Sequence, residues 1–475
     1  MEQQQYDFGM IGLGTMGRNL VYNISDHGFS VSGFDKNEEQ VKTLIKEAPS
    51  KNIMSTSSLP EFINSLKKPR VIMFLVPAGP IVDSVILELK TFLSKDDLMM
   101  DCGNSHFTDT NIRTEALAKE NIHFMGVGVS GGESGARFGP SIMPGGAKEA
   151  YDRVAPMLQA VSAKVNNEPC VTYVGAGSAG HYVKMVHNGI EYALMQLIAE
   201  TYQVLKDVAG LNNDELHELY TKWNKSDLQS FLVEITAEIF LKKDNLTNNR
   251  LVDMIQASAG QKGTGQWTSQ DALNQHIPIP VIDIAVSARD LSALKEERKQ
   301  VQQNLFTATT KAAPLTGTEK TAFIDAVEQA LYFSMITTYA QGMSLLYHAS
   351  GEYKYGLKLD EIAAIWRGGC IIRAALLEDI RAIFAKHPEL SNILINDGIA
   401  KKLEFAQDGI RTVIKKAIDA SIPVPALMVS LAYHDTYRSA WLPFNLLQAQ
   451  RDYFGAHTYQ RTDRDGTFHT HWETK

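Results

Sequence analysis

A glycine turn set between two β-like runs constrains this chain more than any other feature. Phe8–Ile11 is a short apolar run, and Gly12-Leu13-Gly14-Thr15-Met16-Gly17 follows it at once. A helical pattern then leads to His27-Gly28, and a second run, Val31–Phe34, ends at Asp35. G-x-G-x-x-G alone is a weak signal that any glycine-rich turn could satisfy. Between a strand and a helix, it lets backbone N–H groups approach a pyrophosphate at the helix N-terminus. Gly12, Leu13, Gly14, Thr15, Met16 and Gly17 therefore read as a dinucleotide site.

Asp35, Lys36 and Asn37 bear on which dinucleotide. A carboxylate ending the second strand accepts from the adenosine ribose hydroxyls and repels a 2′-phosphate. Lys36 offsets part of that repulsion, and a turn in which Asp35 caps Asn37 is the structural alternative. Local chemistry favours NAD, or use of both NAD and NADP, over strict NADP.

Further runs at Val71–Val76, Leu98–Asp101 and Phe124–Val129 alternate with amphipathic helical patterns through residue 178. This is the signature of βαβ units, so residues 1–178 are expected to form an α/β, Rossmann-type dinucleotide-binding domain with a parallel sheet. Residues 179–439 change to long helical patterns, a large all-α domain. Residues 440–475 form a C-terminal tail with little periodicity, too aromatic to be a solvated disordered end, and expected to dock. The helical part carries a faint duplication. Val186, Ile190, Tyr192, Ala193 and Ala199 align at one offset with Val327, Leu331, Phe333, Ser334 and Ala340, and Asp214–Tyr220 echoes Asp360–Trp366.

Within the first copy, Lys184, His187, Asn188 and Glu191 stand at helical spacing on one face of a stretch otherwise apolar nearly all round. Buried there, a base, an acid and two hydrogen-bonding groups lose hydration unless a ligand or one another satisfies them. A Lys–Glu brace one turn apart is the structural reading. The second copy keeps the packing residues but has Asp325, Glu328, Gln329 and Tyr332 at those positions, so packing alone does not require the four.

Composition excludes several classes. A net charge of −8 without a dense basic run argues against a nucleic-acid binder. No apolar stretch is long enough for a membrane span, and the opening M-E-Q-Q-Q-Y-D lacks the pattern of a signal peptide. Cys102, Cys170 and Cys370 form no disulfide or metal framework, which indicates a reducing, cytoplasmic setting. The pair His469 and His471 in the tail is too little for a metal site, so no metal is expected.

Three loops complete the picture: Asp101–His106 (D-C-G-N-S-H) after a strand, the glycine-dense Val129–Gly146, and Lys262–Trp267 (K-G-T-G-Q-W). Together with V-K-M-V-H-N-G-I-E-Y and Q-A-Q-R-D-Y-F-G-A-H-T-Y, these blocks closely resemble the 6-phosphogluconate dehydrogenase family, along essentially the whole chain. The resemblance implies oxidative decarboxylation of 6-phosphogluconate to ribulose 5-phosphate and CO2 in the pentose phosphate pathway. It makes Lys184 the general base and Glu191 the general acid. By match, Asn104, Ser130, Gly131, Gly132, His187 and Asn188 hold the sugar acid. Tyr192, Lys262, Thr264 and Arg289 hold its phosphate. Arg451 and His457 reach from the tail of a neighbouring subunit, which implies a homodimer. Val76 and Asn104 join the glycine loop and Asp35, Lys36 and Asn37 on the cofactor.

The chain departs from the family pattern around the cofactor. Phe34-Asp35-Lys36-Asn37 stands where F-N-R-T is usual, and Val76-Pro77-Ala78-Gly79 where V-K-A-G is common. A lysine cannot reproduce the planar grip of arginine on a 2′-phosphate, so NADP, the family default, is weakened relative to NAD or dual use. The rival readings are another β-hydroxyacid dehydrogenase of the superfamily, for which Lys262, Arg289 and Arg451 would have no phosphate to meet, or a catalytically silent cofactor-binding protein.

Overall fold

The computed structural model describes residues 5–48, 52–305 and 313–472. The first four residues of the opening segment discussed above, and the last three of the tail, lie outside the described residues.

Seven strands form one sheet: β1 (Phe8–Ile11), β2 (Val31–Phe34), β3 (Ile53–Thr56), β4 (Val71–Phe74), β5 (Leu98–Asp101), β6 (His123–Ser130) and β7 (Ser141–Gly145). Their order is β3-β2-β1-β4-β5-β6-β7. Strands β1 to β6 run parallel, and β7 returns antiparallel to β6 with Ser130 opposite Ser141. Helices cover both faces, so β1, β2, β4 and β5 are buried throughout, as continuous apolar strands of a parallel sheet should be. The chain order reverses between β1 and β4, opening a crevice at the strands' carboxyl ends where ligands of such sheets sit.

Two strands differ from the sequence expectation. Ile53–Thr56 was not anticipated because I-M-S-T alternates weakly and lies at the sheet edge. The glycine-dense stretch read as one loop instead holds a helix, Gly132–Phe138, and then β7. Pro144 and Gly145 hide that strand from a propensity reading, since both residues are depleted in strands and tolerated near an edge.

Beyond residue 178 the structure is helical. The 29-residue helix Ala179–Asp207 packs against the 36-residue helix Gly317–Glu352, and Asp397–Asp419 packs along the latter. Val186, Ile190 and Leu197 are fully buried, each contributing roughly 2 kcal/mol of burial. The Ala179–Asp207 helix also lies directly on β6. A Cβ at Gly128 would come 2.5 Å from the Cβ of Lys184, so only glycine allows this approach.

The tail is more regular than its sequence suggested. It forms a helix, Phe444–Gly455, and a loop folded back by a bridge between Tyr459 and Phe468. The carboxylate of Asp452 organises it, accepting from Thr458 N–H, His469 Nδ1, Thr470 N–H and Trp472 Nε1. This local hydrogen bonding leaves the aromatics outside, with Trp441 66% and Phe454 73% exposed. Among the described residues no helix is long and apolar enough to cross a membrane, and no His, Cys, Asp and Glu group is placed to hold a metal.

Candidate active site

Two groups of residues make up the candidate site, one from each part of the chain. The first is the glycine turn. Gly12 has φ +89°, and a Cβ there would meet the carbonyl oxygen of Leu75 at 2.6 Å. Gly14 faces open space, with nothing within 4 Å of where a Cβ would lie. The helix that begins at Thr15 and Met16 has no side-chain cap and no acidic residue in its first turn. Its free N–H groups and dipole are thus left for an anion. The geometry fits a dinucleotide pyrophosphate.

Asp35 is engaged on both oxygens. Oδ2 accepts from Leu13 N–H at 2.8 Å and Oδ1 from Asn37 N–H at 2.9 Å. The cap with Asn37 and a carboxylate facing the cofactor crevice therefore coexist in one residue. Asn37 itself caps the next helix by accepting from Glu39 N–H. Lys36 Nζ reaches Glu88 at 2.6 Å, across a pocket of about 190 Å³ lined by Gly12, Phe34, Asp35, Val76 and Ile81. Glu88 was not anticipated, and nothing in its sequence setting marks it.

The second group is the polar face of the Ala179–Asp207 helix. Lys184 is 7% exposed, and its ammonium donates to Asn188 Oδ1 at 2.7 Å. The same oxygen lies 3.1 Å from Nδ1 of the fully buried His187, whose Nε2 is 3.2 Å from Ser130 Oγ. A neutral ring satisfies both contacts by donating from Nδ1 and accepting at Nε2. Asn188 Nδ2 donates to Thr264 Oγ1 at 3.1 Å, and Glu191 Oε2 lies 3.9 Å from His187 Nδ1 with its side chain 22% exposed. Ser130 ends β6, and Gly131 and Gly132, both at positive φ, turn the chain into the next helix.

Burial pulls Lys184 below the usual lysine range, with the charge of Glu191 opposing. Burial likewise holds His187 well below its ordinary value, and the Lys184 charge adds to this. It raises Glu191 against the pull of Lys184 and Arg289. A base that tends to neutrality and an acid that tends to protonation share one helix face. Burial also holds the Cys102 thiol far above its ordinary range, which makes it inert.

Next to this face, the Arg289 guanidinium lies 3.5 Å over the Tyr192 ring, and Lys262 N–H reaches Tyr192 Oη at 3.4 Å. Thr264 opens a helix without an acidic first turn, another set of free N–H groups. Trp366 closes the back, its ring edge-on to His187 at 5.7 Å. Asn104 is exposed on the loop after β5, whose His106 meets Trp267 of the helical part. Arg451 and His457 stand apart. Among the described residues, no hydrogen bond or ion pair joins either to the Lys184 face.

A Rossmann sheet with a glycine turn after its first strand, and a helix on β6 that carries a buried lysine and a largely buried glutamate on one face, is the frame of an NAD(P)-dependent dehydrogenase. Residues 7–175 match the NAD binding domain of 6-phosphogluconate dehydrogenase, and residues 180–472 match that enzyme's C-terminal domain. The chain is 51% identical over 472 residues to the NADP(+)-dependent, decarboxylating 6-phosphogluconate dehydrogenase of Bacillus subtilis, covering 99% of this chain and 100% of that protein. It is 47% identical to the Escherichia coli decarboxylating enzyme over 473 residues, 99% of this chain and 100% of that one. The Plasmodium falciparum 6-phosphogluconate dehydrogenase, solved in its apo form and in complex with NADP+ and with 6-phosphogluconate, superposes with a TM-score of 0.94. That match has 43% identity and covers 98% of this chain and 100% of that one.

The chain belongs to the family of decarboxylating 6-phosphogluconate dehydrogenases. Its reaction is the NAD(P)-dependent oxidative decarboxylation of 6-phosphogluconate, a step of the pentose phosphate pathway.

Proposed function

We propose that the buried face of the Ala179–Asp207 helix performs this reaction, with Lys184 as general base and Glu191 as general acid. The supporting observation is a buried ammonium whose hydrogen bond goes to a neutral amide, Asn188 Oδ1. Among the described residues no carboxylate forms an ion pair with Lys184, and burial lowers its pKa, so it gives up its proton readily.

Bound NAD(P) supplies the hydride acceptor. Lys184 takes the proton of the C3 hydroxyl as hydride leaves C3, giving a 3-keto acid. CO2 departs as the new carbonyl takes up the electron pair, and the Lys184 ammonium steadies the enolate oxygen. Glu191 then delivers a proton to the former C2, which becomes C1 of ribulose 5-phosphate. Asn104, Ser130, Gly131, Gly132, His187 and Asn188 hold the carboxylate and hydroxyls. Tyr192, Lys262, Thr264 and Arg289 hold the phosphate.

The glycine turn would take the cofactor's pyrophosphate, and Asp35, Lys36, Asn37, Val76 and Asn104 would hold its nucleosides. Asp35 and Glu88 bracket that pocket with two carboxylates against one lysine, which supports NAD or dual use over strict NADP. The exposed aromatic tail supports a homodimer in which Arg451 and His457 complete the partner's phosphate site. Residues 1–178, 179–439 and 440–475 act as cofactor domain, substrate domain and exchanged tail, and the enzyme works in the cytoplasm.

The test is reduced-nicotinamide formation with 6-phosphogluconate, metal-free, with NAD and NADP in parallel. Turnover with NAD at a kcat/KM at least comparable to NADP is expected. Strong NADP preference would overturn the cofactor reading, and near-normal turnover by Lys184→Ala would overturn the assignment of the base.

A further inference from the structure

Two loops leave the carboxyl ends of the neighbouring strands β4 and β5: Val76–Gly79, and Cys102–His106, which carries Asn104. One buried guanidinium joins them. Arg113, on the helix Phe107–Ala118, is 6% exposed. Its Nη2 donates to the Gly79 carbonyl at 3.1 Å, its Nε to Asp83 Oδ1 at 2.7 Å and its Nη1 to Ser105 Oγ at 3.4 Å. Asp101 Oδ2 lies 3.8 Å from Nη1, and Asp109 Oδ2 3.9 Å from Nη2.

The fully buried Asp101 carboxylate accepts from Gly103 N–H at 3.0 Å and from Ser105 Oγ–H at 2.5 Å. Asn104 sits between those two anchored neighbours, yet is itself exposed and makes no hydrogen bond to another described residue. The anchoring therefore fixes its backbone and leaves its side chain free to meet a ligand. The Asp101 carbonyl also meets Nε2 of His181 at 3.0 Å, one turn before Lys184, so the same strand end touches the catalytic helix.

We propose that Arg113 is a positioning residue for hydride transfer, locking the β4 and β5 loops to one spacing and so setting the nicotinamide half of the cofactor against Asn104 and the sugar acid. This rests on the reading that Val76 and Asn104 contact the ligands. A fork of donors suits the task, because a lysine offers a point charge that cannot hold both loops at once. Hydride transfer is sensitive to such spacing: a misplacement of about 1 Å costs about 100-fold.

The test compares Arg113→Lys and Ser105→Ala with the parent enzyme in three measurements. These are dinucleotide Kd from quenching of tryptophan fluorescence without substrate, kcat with each KM, and the primary deuterium isotope effect with 3-deuterated 6-phosphogluconate. The expected result for Arg113→Lys is a Kd raised about tenfold, kcat lowered by about 10- to 100-fold and a larger isotope effect. Ser105→Ala should move in the same direction by less. Unchanged Kd and isotope effect in the folded variants would overturn the proposal, whatever the change in Tm. Should Arg113→Lys fail to fold, Ser105→Ala decides in the same way. Asn104→Ala, run alongside, separates the two ideas. If it changes neither KM nor isotope effect, the ligand assignment of Asn104 falls, whereas a large effect there with none from the Arg113 and Ser105 variants sinks only the positioning role.

Discussion

Lys184 Nζ and His187 Nδ1 converge on one atom, Asn188 Oδ1, at 2.7 and 3.1 Å. One amide oxygen thus orients both a buried ammonium and a buried imidazole without adding charge. A carboxylate at position 188 would raise the Lys184 pKa through direct pairing. An amide holds the lysine in place and lets burial keep it easy to deprotonate.

In the proposed mechanism, Lys184→Ala removes the base and the electrophile together. Initial rates with 6-phosphogluconate should show kcat falling by about 10³-fold or more, given that a positioned general acid–base group contributes roughly 10²–10⁴. Substrate KM should change far less, since the residues proposed to hold the phosphate and carboxylate remain.

The pH profile separates Lys184 from Glu191. As the proposed base, Lys184 must be neutral to accept a proton, so kcat/KM should fall on the acid side as it becomes protonated, at a pH below the usual lysine range. The ionised Glu191 carboxylate raises the Lys184 pKa, so Glu191→Gln should move that acid limb to lower pH while reducing kcat. An acid limb that stays in place would argue against coupling of the two groups.

Cofactor choice should respond to Asp35 and Glu88. Asp35→Asn keeps an acceptor for the Leu13 or Asn37 N–H but removes the charge facing a 2′-phosphate. The NADP-to-NAD ratio of kcat/KM should rise about tenfold, equivalent to about 1.4 kcal/mol. Glu88→Gln should shift it in the same direction by releasing Lys36.

Stability should carry the mark of Glu200, which lies on the same helix but outside the site. Burial raises its carboxyl to about 7, although it accepts from Gln196 and from the N–H groups of Ala426 and Leu427. The folded state then holds this proton more tightly than the unfolded chain. The associated stability is full below the ordinary glutamate value near 4.5 and is lost as pH rises through about 7. Denaturant titrations should lose on the order of 3 kcal/mol across that window, and Glu200→Gln should flatten the slope.

The proposed exchange of tails between subunits predicts complementation. Chains ending before residue 440 should lose most activity, and so should Lys184→Ala. Mixed dimers of the two should regain part of it, because one site then pairs an intact Lys184 with an intact tail. Mixed dimers that form without regaining activity would separate the tail from catalysis.

Much of this enzyme was legible in its sequence because the relevant constraints are local. Gly12 to Gly17 has one workable conformation between a strand and a helix, and Asp35 follows from the strand after it. Lys184, His187, Asn188 and Glu191 share a face through helical periodicity alone, which needs no knowledge of what packs opposite. Their reading as an active site rested on matching separate blocks, since spacing alone also allowed a structural Lys–Glu brace. Tertiary structure decided the rest. It drew β7 out of a proline- and glycine-containing stretch by pairing it with β6, and set Glu88 opposite Lys36 across 52 residues. It also brought Arg113 onto two loops at once, and left Arg451 and His457 away from their own chain's site. Each of these depends on groups far apart in the chain, and propensity and periodicity carry no information about such meetings.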